Sequence, residues 1–219
     1  MNAERNEAYL AGLLRELRKL PNETEWVEFK ASYADPQEIG EYISALSNAA
    51  ALCGKTNGYL VWGVDDGTHE VTGTTFRPEL ARKGNEELES WLLRLTSPRI
   101  HFRFHRIEPD GKPVVILEIP RATNKPVSFS GLEFIRVGSY KKKLKEFPEK
   151  ERALWRIFDN NLLPSNEVIG QALRRDVPVY PELAVRELVA NAIIHQDFFI
   201  RGSGPMIEIF SKNMSTGNS

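Results

Sequence analysis

Glu23-Thr-Glu-Trp-Val-Glu-Phe-Lys30 is the stretch that decides the fold of this chain. It reads as a β-strand, in which successive side chains point to opposite faces. Glu28 and Lys30 then share one face, and Val27 and Phe29 share the other. The sequence therefore predicts a strand with an apolar side against a core and a charged side that is available for chemistry.

A second strand follows about 35 residues later and also ends in acids. Gly58-Tyr-Leu-Val-Trp-Gly-Val64 is almost continuously apolar and runs into Asp65-Asp66-Gly67. Between the two strands, Asp35-Pro36-Gln37-Glu38 combines an N-cap, a first-turn proline and a capping-box glutamate. This signature predicts a helix to about Cys53. Two strands that end in acids could bring those acids together in one sheet.

The downstream pattern indicates an α+β fold with a mixed sheet and packed helices. Residues 99–105 alternate strictly between polar and apolar, Asp110-Gly111 predicts a hairpin turn into Val114–Ile119, and Glu133–Val137 predicts another strand. Helical and strand patterns mix without a regular βαβ repeat, which favours the α+β class.

The chain divides by character near Pro148. Residues 1–147 carry the strands, whereas residues 148–219 predict a mainly helical extension. In that extension Pro148–Asp159 reads as a charged helix, a loop and a short helix lead to Arg175, and Leu183–His195 reads as another helix.

Composition limits the class of protein. The 219 residues contain 41% apolar and 27% charged residues, with a formal net charge of −1. A nucleic-acid partner therefore requires a local basic surface, because the overall charge balance offers no attraction. The single cysteine rules out an internal disulfide framework, and no apolar run approaches the ~20 residues that span a bilayer. We expect a cytoplasmic protein that does not enter the membrane.

The acids form the first candidate site. Carboxylates gathered at strand ends could hold Mg²⁺ or Mn²⁺, and such an ion could activate water against a phosphodiester. A neighbouring lysine could neutralise charge on the phosphate. The residues of this hypothesis are Glu23, Glu28 and Asp65 as metal ligands and Lys30 beside them. The alternative is that all four are solvent-facing charges on an edge strand, with Lys30 paired to a glutamate.

Basic residues form the second candidate site. Arg99, His101, Arg103 and His105 lie on one strand face, and Arg136, Lys141, Lys142, Lys143 and Lys145 crowd the end of another strand. Clustered cations bind phosphates because each neutralised phosphate releases counterions. Tyr140 could stack on a base or sugar beside them. We expect these cations to converge on one surface; the alternative is that they are solvated faces that keep the protein soluble.

The third candidate site is a polar stripe in the extension. Glu187, Asn191 and His195 follow i, i+4, i+8 spacing and so share one helix face. A glutamate and an asparagine placed in this way could position water and a nucleotide-bound magnesium ion. The alternative is a polar stripe at the surface.

Several ordered blocks resemble the Schlafen-type AlbA-like domain. They are residues 23–30, Ile39–Asn48, Gly58–Asp66, Val71–Gly73 and Phe134–Ser139. The resemblance implies a DNA-binding part of a bacterial transcriptional regulator. In animal Schlafen proteins, related domains are metal-dependent RNA nucleases with two glutamates and an aspartate, which fall on Glu23, Glu28 and Asp65 here.

The segment from Tyr180 to Phe198 resembles the opening helix of a GHKL-type ATP-binding domain. This resemblance implies that Glu187 is the base and that Asn191 lies on the magnesium side. The glycine-rich loops that would complete such a domain do not follow before Ser219. We therefore expect a fragment of a longer regulator that holds no cofactor itself, with ATP bound only by the longer chain.

These observations together predict a nucleic-acid-binding module, with DNA as the expected partner, in a bacterial transcriptional regulator. The alternative is a divalent-metal-dependent nuclease that acts on RNA or single-stranded nucleic acid. The exposed apolar residues expected on the helical extension also leave a homo-oligomer open.

Overall fold

The computed structural model describes residues 7–22, 24–32, 34–160, 165–169 and 174–178. The helices are α1 (Glu7–Leu17), α2 (Pro36–Leu52), α3 (Leu88–Leu95) and α4 (Pro148–Asn160). The strands are β1 (Val27–Lys30), β2 (Asn57–Trp62), β3 (Arg82–Lys83), β4 (Glu86–Glu87), β5 (Thr96–Ser97), β6 (Arg103–Ile107), β7 (Val114–Pro120), β8 (Ser128–Phe129), β9 (Leu132–Val137), β10 (Tyr140–Lys143), β11 (Ser165–Ile169) and β12 (Arg174–Pro178). The predicted α+β class is confirmed. None of the described helices is long and apolar enough to cross a membrane.

The first sheet has the strand order β1-β2-β7-β6 and carries a core on each face. Strands β1 and β2 are parallel, and the other pairs are antiparallel. Val27 and Phe29 pack in one cluster with the leucines of α1, whereas Leu60 and Trp62 pack in a second cluster with Ile39 and Ile43 of α2. The alternation predicted for the strands therefore separates the two cores.

Helix α2 begins where its sequence predicts. The carboxylate of Asp35 accepts a hydrogen bond from the backbone N–H of Glu38 at 3.0 Å, and Pro36 is the first helical residue. Within the helix, Gly40 allows the ring of Phe129 to approach its backbone, since a Cβ atom at residue 40 would lie 2.1 Å from that ring. Helix α2 can therefore pack directly on β8.

The second sheet is antiparallel, with the strand order β10-β9-β8-β5. Strand β8 has two residues and pairs with β9 at Leu132 and Glu133. At the next residue of β9, side chains of α2 bind the backbone. Ser44 accepts from the N–H of Phe134 at 2.9 Å, and Asn48 donates to the carbonyl oxygen of Phe134 at 2.9 Å. Polar side chains of a buried helix thus satisfy the backbone where the short strand ends.

A third apolar cluster joins α4 to the second sheet. Leu154 and Phe158 of α4 pack with Ile135 of β9, with Leu144 and with alanines of α2. Helix α4 lies beyond residue 147, where the change in sequence character predicts a domain boundary. By spatial contacts the chain divides into residues 1–177 and residues 178–219.

Two local predictions are wrong. The alternating stretch 99–105 becomes strand only from Arg103, which pairs with Glu118 of β7. Strand β7 ends at Pro120, two residues after Glu118. Because a proline has no N–H to donate, the pairing of β6 with β7 is not extended there. The segment leading to Arg175, predicted as a loop and a short helix, contains β11 and β12 as a two-stranded sheet. Pro178 disfavours helical backbone angles at the residue before it, which favours the strand β12 over the predicted helix.

Candidate functional site

Glu28 lies at the centre of a buried charged cluster. Glu28 is only 6% exposed. One carboxylate oxygen accepts hydrogen bonds from the Tyr42 hydroxyl at 2.7 Å and from the Lys30 ammonium at 3.0 Å, and the other contacts the guanidinium of Arg136. We call Glu28, Lys30, Tyr42 and Arg136 the Glu28 cluster. A buried carboxylate needs such partners because its desolvation is costly.

Arg136 does not lie on the open surface that the sequence predicts for it. The residue is 1% exposed, and its Nε is the one buried side-chain polar atom without a hydrogen-bond partner among the described residues. Lys141, directly opposite on β10, forms an ion pair with Glu41 at 2.6 Å. The ammonium of Lys141 also lies 4.5 Å from the centre of the Tyr42 ring. The positive charges of Arg136 and Lys141 are therefore compensated within the fold.

The cluster sets the protonation of its members. Burial alone would lower the pKa of Lys30, but the adjacent Glu28 carboxylate raises this pKa above its usual value. Burial and the charge of Glu28 raise the pKa of Tyr42 to about 12. Lys30 therefore stays positively charged and Tyr42 stays a hydrogen-bond donor at neutral pH.

Asp65 and Asp66 have different surroundings. One oxygen of Asp65 accepts from the N–H groups of Gly67 at 3.1 Å and Thr68 at 2.8 Å and from the Thr68 hydroxyl, and these bonds lower the pKa of Asp65. The side chain of Asp66 is exposed, yet partial desolvation and the charge of Glu28 raise its pKa. The charge of Glu28 therefore affects the pKa of Asp66, the neighbour of the Asp65 that the sequence singled out.

Glu28 and Asp65 use their carboxylate oxygens for contacts within the fold. Both oxygens of Glu28 are occupied by donors, two of which are cationic, and Asp65 caps its own turn. Glu23 lies outside the described residues. In the described ranges, no group of three histidine, cysteine or acidic side chains could hold a metal ion. The alternative that Lys30 pairs with a glutamate agrees with its contacts to Glu28 and Glu38, but Glu28 does not face solvent.

The outer strand of the second sheet presents an exposed positive surface. We define the cationic edge as Tyr140, Lys142 and Lys143 of β10 together with Lys145. All four side chains are exposed, and the Lys142 ammonium lies 5.7 Å from the centre of the Tyr140 ring. In the part of the chain that the structure describes, none of these lysines forms an ion pair.

The turn before the cationic edge is fixed by Glu25. Gly138 adopts a φ of 58°, which a glycine reaches without strain, and its N–H donates to the Glu25 carboxylate at 3.1 Å. Lys150 of α4 donates to the same carboxylate at 2.9 Å. One acid therefore connects the segment before β1, the β9–β10 turn and α4.

Arg99, His101 and Arg103 form a separate exposed group. Arg99 and His101 follow β5, and Arg103 begins β6. Strand β5 is the edge of the second sheet opposite β10, and β6 is the edge of the first sheet opposite β1. In the second sheet, which carries the cationic edge, three strand spacings of about 4.8 Å separate β5 from β10, and Arg136 is buried. The prediction that all the cations converge on one surface is therefore wrong. His105, which precedes Arg106 on β6, contacts the buried carboxylate of Glu118 at 3.1 Å.

The nucleotide-binding prediction concerns Glu187 and Asn191. Both residues lie outside the described residues, as does His195. This prediction and the resemblance to a GHKL-type domain therefore stay predictions.

A sequence profile of the Schlafen, AlbA_2 family matches residues 23–145, which is more than half of the 219-residue chain. The chain belongs to this family. The matched range contains both sheets, the Glu28 cluster and the lysines of the cationic edge. A search of curated proteins found no match.

Two solved structures are similar at low sequence identity. The DIP2311 protein from Corynebacterium diphtheriae is 17% identical, with a TM-score of 0.42, over 68% of this chain and 29% of that chain. The N-terminal domain of a RecG-related protein from Nitrosomonas europaea is 18% identical, with a TM-score of 0.39, over 64% of this chain and 89% of that chain. This chain thus spans less than a third of the C. diphtheriae protein.

Proposed function

We propose that this domain binds nucleic acid, and DNA in particular, through phosphate contacts at the cationic edge. The observation that carries the proposal is the exposure of Lys142, Lys143 and Lys145 without an ion-pair partner among the described residues. On a protein with a net charge of −1, binding to a polyanion has to come from such local charge.

Three other cations of the domain already have carboxylate partners, which favours the cationic edge as the phosphate-binding surface. Lys30, Arg136 and Lys141 each contact a carboxylate, so a phosphate would have to compete with an internal partner. The lysines of the cationic edge would instead release solution counterions when they meet phosphates, which favours association. Arg99, His101 and Arg103 form a second exposed group, for which phosphate contact stays a prediction.

Membership of the Schlafen, AlbA_2 family supports the same function, because the family resemblance implies a DNA-binding part of a bacterial regulator. We therefore propose a role within a bacterial transcriptional regulator. The cationic edge offers lysine charges to the nucleic-acid backbone, so phosphate contacts should dominate and affinity should depend strongly on salt.

The test is a salt titration of DNA binding. The double variant Lys142→Glu/Lys143→Glu should bind DNA about tenfold or more weakly, and the slope of log affinity against log salt should fall by about 2 because two phosphate contacts are lost. Fluorescence anisotropy of a labelled oligonucleotide measures both quantities.

The matched control is Arg15→Glu/Arg77→Glu. It changes the net charge by the same amount at exposed positions on α1 and before Pro78, outside both candidate cationic groups. This control should keep the wild-type slope. If the lysine variant keeps the wild-type affinity and slope, or if the control loses as much, binding at the cationic edge is refuted.

A further inference from the structure

We infer that the cationic edge takes single-stranded nucleic acid, with Tyr140 and Trp155 as two platforms on which unpaired bases stack. This inference rests on the proposed nucleic-acid binding and adds the class of ligand. It arises from two exposed aromatic side chains that the cores do not use. Tyr140 is 68% exposed and Trp155 is 43% exposed.

The strand register places Tyr140 on the side of the sheet that α4 covers. Tyr140 lies opposite Val137, and Lys142 lies opposite Ile135. Ile135 and Val137 belong to the apolar cluster that contains Leu154 of α4. Because alternate residues of a strand share a face, Tyr140 and Lys142 extend the α4 side of the sheet to its outer edge.

Helix α4 presents its own aromatic residue between cations. Arg152, Trp155 and Arg156 are all exposed. Arg152 lies three residues before Trp155 and is therefore its neighbour on the helix surface, and Arg156 is four residues after Arg152. The indole packs edge-on against Phe158, with a ring-centroid distance of 5.7 Å and an interplanar angle of 88°. Phe158 is itself buried in the third cluster, so it holds the indole in place at the surface.

Both aromatic rings therefore have cations beside them, on consecutive elements joined by the short turn Leu144–Glu146. Lys145 of that turn adds a further exposed charge between the two rings in sequence. This alternation of rings and cations matches the requirements of a single strand, whose backbone needs positive charge and whose bases offer π-faces. It differs from a surface that only tracks phosphates.

The choice between a single strand and a duplex follows from what each offers to a ring. In a duplex the base faces are stacked on one another, so an exposed Tyr or Trp side chain finds no π-face without unstacking the helix. In a single strand each base can stack on an aromatic side chain, and cations above such rings add to the attraction. Charge complementarity with the flanking lysines and arginines favours a polyanion over an apolar protein partner.

The experiment compares one labelled sequence as a single strand and as a duplex, each as DNA and as RNA. The wild-type protein should bind the single strand at least about tenfold more tightly than the duplex. Tyr140→Ala and Trp155→Ala should each weaken single-strand binding by about 5- to 100-fold, the range expected for the loss of one stacked base. The DNA and RNA arms identify which polymer is preferred.

Two conservative variants separate stacking from other effects. Tyr140→Phe keeps the ring and should keep the affinity for the single strand. Trp155 is also the most exposed of the described tryptophans, since Trp26 and Trp62 are buried and Trp91 is half-buried. Binding of a single strand should therefore quench tryptophan fluorescence, and Trp155→Phe should remove most of that quenching while the protein stays folded.

The outcomes distinguish this inference from the proposed function. Equal binding of duplex and single strand, or unchanged single-strand affinity in both alanine variants, overturns the stacking platforms even if Lys142→Glu/Lys143→Glu still weakens binding. In that case the cationic edge contacts phosphates alone, and the exposed rings serve another contact, such as a protein partner. If the wild-type protein binds none of the four ligands, the proposed function fails as well.

Discussion

Glu28 shows how a single side chain can be misjudged when its partners are distant in the chain. Its position on β1 predicts a charged side chain on a strand face, and this is what the structure has. Arg136, the residue that compensates its charge, lies 108 residues further along. No local sequence pattern indicates this pairing. The sequence therefore allowed the hypotheses that Glu28 is a metal ligand and that Arg136 contacts phosphate.

Pairing between Glu28 and Arg136 should control the stability of the domain. Glu28→Gln should lower the free energy of unfolding by about 3–5 kcal/mol, because it leaves the Arg136 guanidinium buried without a carboxylate. Arg136→Met should cost less, because Glu28 keeps Lys30 and Tyr42 as partners. The double variant should lose less than the sum of the two single losses. Urea unfolding followed by circular dichroism measures all three values.

The exposed pair Glu16–Lys19, with a distance of 3.1 Å, provides a matched control for this cycle. Glu16→Gln and Lys19→Met should each change the free energy of unfolding by less than about 1 kcal/mol, since water already solvates both groups. Additive losses for Glu28 and Arg136, or losses no larger than those of the control pair, would show that the buried pair is not coupled.

At the scale of elements, α2 does more than bury an apolar face. Its start is readable from Asp35-Pro36 because capping is local. Its role in completing the second sheet is not readable, since Ser44 and Asn48 on a helix usually indicate surface positions. Here both residues are fully buried and bind the backbone of Val127 and Phe134. The need for them comes from β8 being two residues long, which only the assembled sheet reveals.

Asn48 makes three hydrogen bonds to buried backbone groups of Val127 and Phe134. Asn48→Ala should therefore lower the free energy of unfolding by about 2 kcal/mol or more, because it leaves buried backbone donors and acceptors unpaired. Thermal and urea unfolding of the purified variant measure the loss.

Gln37, on the same helix, is the comparison for Asn48. It is exposed and bonds to Glu41 at 3.1 Å. Gln37→Ala should stay within about 0.5 kcal/mol of the wild-type protein. A loss at Asn48 as small as that at Gln37 would mean that water replaces the helix at the end of β8.

At the scale of the whole molecule, the arrangement of the strands decides which charges act together. The class of fold, the strand β1 and its apolar face could be predicted from periodicity, which depends on neighbouring residues alone. The separation of Arg99 and Arg103 from the cationic edge could not be predicted, because it follows from the order of strands in two sheets. The very short strands β3, β4, β5 and β8 were also missed, since two residues carry no period.

The packing of α4 predicts where the chain can be shortened. A fragment of residues 1–160 should unfold cooperatively, whereas a fragment of residues 1–147 lacks Leu154 and Phe158 and exposes Leu144 and Ile135. We expect the shorter fragment to be less stable by about 3 kcal/mol or more, given about 1.5–3 kcal/mol for each large buried side chain. Urea unfolding of both fragments beside the full chain makes the comparison, and equal stability would place α4 outside the folding unit.

The position of β10 at the margin of its sheet has one more consequence. A marginal strand offers unpaired amide and carbonyl groups to any other polypeptide, and closely spaced ammonium groups repel an identical neighbour. By this principle, we expect the exposed Lys142 and Lys143 of β10 to oppose the pairing of two such strands. A polyanion bound to these lysines would cancel that repulsion. Binding of the polyanion and pairing between two copies of the protein would therefore both depend on β10.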